Sequence, residues 1–101
     1  MQVTLVDNTN NPTLVKVEGE INTLNAGEFQ SQIEEIIDAK PQNIALDFSG
    51  VEYVSSAGLR ALFVIAQKVM GLEDTVTLKG VQASVMEVLE FSGFDEFFEF
   101  A

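Results

Sequence analysis

The chain has no cysteine and no histidine. The first absence excludes disulfides, thiolate nucleophiles and cysteine-based metal sites. The second removes the commonest acid–base catalyst and metal ligand. Basic residues are scarce: five Lys and Arg stand against 16 Asp and Glu, for a net charge of −11. Such a chain repels nucleic-acid phosphates and anionic lipid head groups, and attracts a partner with a basic surface. Simple solubility accounts for the same charge equally well. No apolar leader opens the sequence. The longest apolar run, Leu59 to Met70, is broken by Arg60, Gln67 and Lys68 and is too short to cross a bilayer. A cytoplasmic, soluble protein is expected.

What is there is enough for one core. At 101 residues and 47% apolar, a single domain over residues 1–101 is expected. Gln2 to Val6 alternates as a strand, Asp7 to Pro12 has turn composition, and Thr13 to Val17 alternates again, so the two strands predict a hairpin. Gly19 to Thr23 is expected to end the second strand. The stripe Phe29, Ile33, Ile36, Ile37 predicts a helix over Ala26 to Ala39, with Asn25 as N-cap and Glu28 as its capping-box partner. Asn43 to Phe48 reads as a buried central strand, with Ser49-Gly50 as a turn or bulge.

A wide apolar face predicts a second helix from about Ala57 to Met70, with Gly71 as its C′ residue. Thr75 to Lys79 alternates as a strand. Ala83 to Ser92 reads as a last helix, ended by Gly93. The order β-β-α-β-α-β-α predicts an α/β domain: a mixed sheet of four to five strands, with right-handed crossovers and helices mainly on one face.

The richest segment is Asp47-Phe48-Ser49-Gly50-Val51-Glu52-Tyr53-Val54-Ser55-Ser56-Ala57-Gly58-Leu59-Arg60. It sets two hydroxyls, Ser55 and Ser56, at a strand-to-helix junction. A serine there can cap the open N–H groups of the first turn. It can also carry a phosphate, which a helix N-terminus tolerates. Both readings stay open on residue chemistry alone. Catalysis is disfavoured: with no histidine only a lysine or carboxylate could activate a serine, and Lys16, Lys40, Lys68 and Lys79 are remote in sequence. No hydrolase elbow, phosphate-binding loop or dinucleotide fingerprint is present. Asp95, Glu96 and Glu99 interleave with phenylalanines and lack calcium-loop spacing, so they read as a solvated acidic face. No metal or cofactor is expected. The tail Phe91, Phe94, Phe97, Phe98, Phe100 reads either as packing onto the core, favoured for Phe91 and Phe94, or as an exposed patch for a partner or second copy.

Read together, Val17 to Thr23, Asp47 to Val51, Ser55-Ser56-Ala57-Gly58-Leu59 and Glu87 to Phe94 resemble the anti-sigma-factor antagonists, the bacterial stand-alone STAS domains. The resemblance covers nearly the whole chain. It implies a partner switch. The unphosphorylated antagonist binds an anti-sigma factor that is also a serine kinase; phosphorylation with ATP releases it, and a serine phosphatase resets it. It places the phosphoacceptor on Ser56. It places partner binding on Asn22, Thr23, Ser55, Ser56, Ala57, Gly58, Leu59 and Arg60. Where the family often has Asp, this chain has Asn22 and Ser55, which removes negative charge beside the acceptor. The other reading is a STAS scaffold subunit of a signalling or lipid-transport complex with no phosphoryl transfer. A monomer or weak dimer is expected.

Overall fold

The computed structural model describes residues 1–101. Strands β1 (Gln2–Asp7) and β2 (Thr13–Ile21) form the expected antiparallel hairpin. Its turn is organised by Asp7, whose carboxylate accepts from the Thr9 N–H at 2.8 Å, the Thr9 hydroxyl at 2.6 Å and the Asn10 amide at 3.0 Å. Strand β2 does not stop before Gly19. Gly19 adopts φ +93°, a left-handed value that glycine tolerates, within an irregular step of the ladder, and pairing continues to Ile21.

Helix α1 (Ala26–Ala39) buries Ala26, Phe29, Ile33 and Ile37, as its periodicity predicts. Its capping differs from expectation. Asn25 sits at φ −115°, ψ −1° and makes no side-chain cap bond to the helix. Its amide oxygen instead accepts from the Asn22 N–H at 2.9 Å, and its amide nitrogen donates to the Glu20 carbonyl at 3.0 Å. Glu28 points along the helix and accepts from Gln32 at 3.3 Å, so no capping box forms.

Strand β3 (Ile44–Val54) is the centre of the sheet, parallel to β2 on one side and β4 (Val76–Lys79) on the other. It runs well past Phe48. Ser49-Gly50 is a bulge, not a turn. Against β2 the pairing steps from Lys16↔Asp47 to Glu18↔Gly50 to Glu20↔Tyr53, so β3 carries an extra residue at each step. Its core-facing positions accordingly run Ile44, Leu46, Phe48, Val51, Val54, and Ala45 is buried as well.

Helix α2 (Ser56–Gly71) starts one residue before its expected position and ends one after. Gly71 is not the left-handed residue that closes it. That conformation falls on Glu73, at φ +62°. Helix α3 (Ala83–Ser92) ends at left-handed Gly93, φ +77°, as expected. A 3-10 turn over Phe94–Phe97 then leads into a fifth strand, β5 (Glu99–Phe100), which the sequence pattern did not announce.

The sheet order is β1-β2-β3-β4-β5. Each parallel crossover therefore steps the same way, and a right-handed hand for all three sets all three helices on one face. Burial agrees. Thr13, Val15, Val17 and Ile21 of β2 are buried while Lys16, Glu18 and Glu20 between them are exposed. One cluster of 23 buried apolar residues joins the strands to the helices. No helix is long and apolar enough to cross a membrane.

Candidate partner-binding site at the head of helix α2

Strands β2 and β3 end side by side, and the Ser55 N–H donates to the Ile21 carbonyl at 2.8 Å. That bond brings the turn after β2 next to the first turn of α2. Such a crevice beyond the carboxyl ends of parallel strands is where α/β sheets commonly place their sites.

The two serines have different jobs. Ser55 is the N-cap, in extended backbone at φ −77°, ψ 173°, and its Oγ accepts from the Gly58 N–H at 3.1 Å. It is 8% exposed. Ser56 is the first helical residue and is exposed, with no part in the cap. The choice left open by residue chemistry is thus divided: the cap is Ser55 and the free hydroxyl is Ser56.

Thr23, Ser56, Ala57 and Arg60 do come together. They line an open groove of about 480 Å³ between α1 and α2, whose other walls are Ala26, Gly27, Gln30 and Ala61. Asn22 lies just behind it, half-buried, its side-chain oxygen accepting from the N–H groups of Leu24 at 2.9 Å and Asn25 at 3.1 Å. It shapes the turn. Gly58 and Leu59 face inward and are buried, so they belong to the fold beneath the groove rather than to its surface. A Cβ on Gly58 would lie 2.8 Å from Val54 Cγ1, 2.9 Å from Ile21 Cγ2 and 3.0 Å from the Ile21 carbonyl oxygen. The head of α2 rests on the strand ends at glycine distance.

The residues that α1 contributes were missed. Gly27 and Gln30 stand three apart, on one face of the helix, and that spacing was their only signal. Leu24, 95% exposed beside the site, had none. Its turn, closed by Asn22, is too short to bury it.

Arg60 is the one charged side chain lining the groove. No carboxylate lines it, so Ser56 has no neighbouring base to activate it. No three acidic, histidine or cysteine residues gather where they could hold a metal, and Asp95, Glu96 and Glu99 do not converge.

The model of the STAS domain family matches residues 3–101. The chain belongs to the STAS domain family. Among curated proteins this STAS domain is similar to BtrV of Bordetella bronchiseptica, named as an anti-sigma factor antagonist, at 29% identity over 85 residues, 84% of this chain and 73% of that one. Among solved structures it resembles an anti-sigma factor antagonist from Mycobacterium paratuberculosis, with TM-score 0.80 and 21% identity over 98% of this chain and 85% of that one. The unphosphorylated form of the anti-sigma factor antagonist SpoIIAA superposes with TM-score 0.75 at 13% identity, covering 99% of this chain and 87% of that one. Its phosphorylated form gives 0.74 at 16%, covering 99% and 91%. The structural likenesses show that the five-strand, three-helix arrangement is the fold of those proteins.

Proposed function

We propose that this STAS domain is an anti-sigma-factor antagonist whose partner binding is switched by phosphorylation of Ser56. The observation that carries the reading is the division of labour at the head of α2: Ser55 spends its hydroxyl on the cap, and Ser56 keeps its own free at the mouth of the groove. The naming of the relative BtrV supports the partner class.

In this reading an anti-sigma factor with serine kinase activity docks over Thr23, Ser56, Ala57 and Arg60. Ser56 Oγ attacks the γ-phosphorus of the kinase's ATP. The bond from that phosphorus to the bridging oxygen breaks, ADP leaves, and the hydroxyl proton passes to a base of the kinase. The antagonist is substrate and regulator, not catalyst. A phosphoserine brings about −1.5 to −2 charges. At the positive end of a helix the fold tolerates them. Inside a docked interface the same charge is desolvated and repelled, so the complex separates while the domain stays folded. A serine phosphatase restores the hydroxyl. Acting beside sigma factors, the protein works in the cytoplasm.

The test is retention of partners from native lysate on wild-type, Ser56→Ala and Ser56→Asp baits, identified by mass spectrometry. An ATP-binding anti-sigma factor held by wild type and Ser56→Ala and lost with Ser56→Asp is the expected result. The same partners on all three baits would instead make the domain a passive scaffold, the reading that neutral Asn22 and Ser55 leave open.

A further inference from the structure

Arg60 is the only arginine in the chain. It stands one turn after Ser56 on α2, and both side chains line the groove. Residues four apart on a helix are neighbours, and helical side chains lean toward the N-terminus. The Arg60 side chain therefore leans over the first turn, toward Ser56, rather than away from it.

Its charge is uncommitted. The one ion pair of the fold joins Lys68 to Asp38 at 2.9 Å, so no carboxylate lies within 4.0 Å of the Arg60 guanidinium. In a chain with 16 acidic residues against five basic ones, this groove holds one cation and no anion. The other polar groups on its walls, Thr23 and Gln30, are neutral; Thr23 carries a hydroxyl donor, and the Gln30 amide donates to Glu34 at 3.2 Å. The surroundings of the Ser56 hydroxyl are thus set for negative charge before any is present.

We propose that Arg60 is the built-in counter-ion of a phosphate on Ser56. Its planar fork holds two phosphate oxygens through paired N–H···O bonds, from the helix turn that follows the acceptor. The proposal rests on Ser56 being the acceptor and deepens that reading. The arginine makes the modified form a distinct, ordered state rather than a merely repelled one. It also substitutes, from within the chain, for counter-charge that a partner would otherwise bring. Arg60 acts here as a positioning residue, since it takes no part in transferring the phosphoryl group.

The experiment places phosphoserine at position 56 during translation, in otherwise wild-type, Arg60→Gln and Arg60→Lys chains, and titrates each phosphate by phosphorus NMR. The second phosphate ionisation, ordinarily near about pH 6, should fall lower in wild type than in Arg60→Gln by roughly 0.3 unit or more, the equivalent of an exposed helical ion pair. Arg60→Lys, a point charge without the fork, should lie between them. Unphosphorylated Arg60→Gln should melt with wild type, because Arg60 is exposed, and this separates a lost counter-ion from a damaged fold. Equal midpoints in wild type and Arg60→Gln overturn the clamp, whatever a partner does. Partner binding that ignores the phosphate, with the midpoints still apart, overturns the switch reading and leaves the clamp standing.

Discussion

Single atoms at the head of α2 separate two serines that look alike in the sequence. Removing the Ser55 hydroxyl leaves the Gly58 N–H unpaired in a buried place, so Ser55→Ala should cost about 1 kcal/mol. Ser56→Ala should change stability by less than about 0.5 kcal/mol. Urea unfolding of the two variants checks the split. Gly58 was expected among the partner-binding residues. The close neighbours are the chain's own Val54 and Ile21. Overpacking there costs about 1–3 kcal/mol, offset by about 1 kcal/mol of helix propensity gained. Gly58→Ala should thus be destabilising by up to about 2 kcal/mol, and Gly58→Val by more. At Gly27 a Cβ would meet nothing within 4 Å, so Gly27→Ala should stabilise by about 0.5–1 kcal/mol. Opposite shifts in melting temperature for these two glycines are the signature. Asp7 makes an acid-side prediction. Hydrogen bonds from Thr9 and Asn10 lower its pKa from the ordinary 3.8 to about 2. Its folded-state value lies below its unfolded one, so its contribution is complete above about pH 4 and disappears as pH falls toward 2. Between those values wild type should lose more of its melting temperature than Asp7→Asn does.

Among the elements, those with a strong apolar period were legible: α1, α2, α3 and the inner strands each declare a buried face. The misses share a cause, which is that tertiary pairing overrode local pattern. Ser49-Gly50 reads as a turn or a bulge with the strand ending at Phe48; it is the bulge, and β3 continues because β2 supplies partners along its whole length. Strand β5 is two residues long and has no period of its own. It exists because Phe98, 8% exposed, anchors the tail and lets the Ala101 N–H reach the Leu78 carbonyl at 3.1 Å. Phe94 and Phe97 surround Phe63 of α2, with ring centroids 5.2 and 5.1 Å from it. So most of the tail packs inward, but Phe91, expected inward, is 96% exposed. It sits on the outer side of α3, where Val85 and Leu89 already fill the inner one. Phe98→Ala should cost about 3–5 kcal/mol. It should also speed hydrogen exchange at the amides of Gly80 and Ala101, the bonds that tie the tail to β4. Unchanged exchange there would show that β5 holds without its anchor. Of the groove, Thr23, Ser56, Ala57 and Arg60 were named from the sequence. The α1 wall was not, because only the packing of two helices makes a groove.

Over the whole molecule the charge of −11 sets the terms of association. A basic partner is drawn in by long-range attraction, and salt shortens its reach from about 10 Å at 0.1 M to about 3 Å at 1 M. Association rates with the anti-sigma partner should therefore fall tenfold or more across that range, with dissociation changing less. Stopped-flow mixing at several ionic strengths measures this; a flat rate would mean that the charge serves solubility alone. The position of Ser56 depends on a matter of length. Between Thr13↔Ile44 and Ile21↔Val54, β3 spends two more residues than β2. Each surplus residue is taken up at its own bulge, which is why Val51, after the first, and Val54, after the second, both still face the core. A chain that lost one of the two would end β3 one place short against β2, and the bond from the Ser55 N–H to the Ile21 carbonyl, which seats Ser56 beside the turn after β2, would fall out of register.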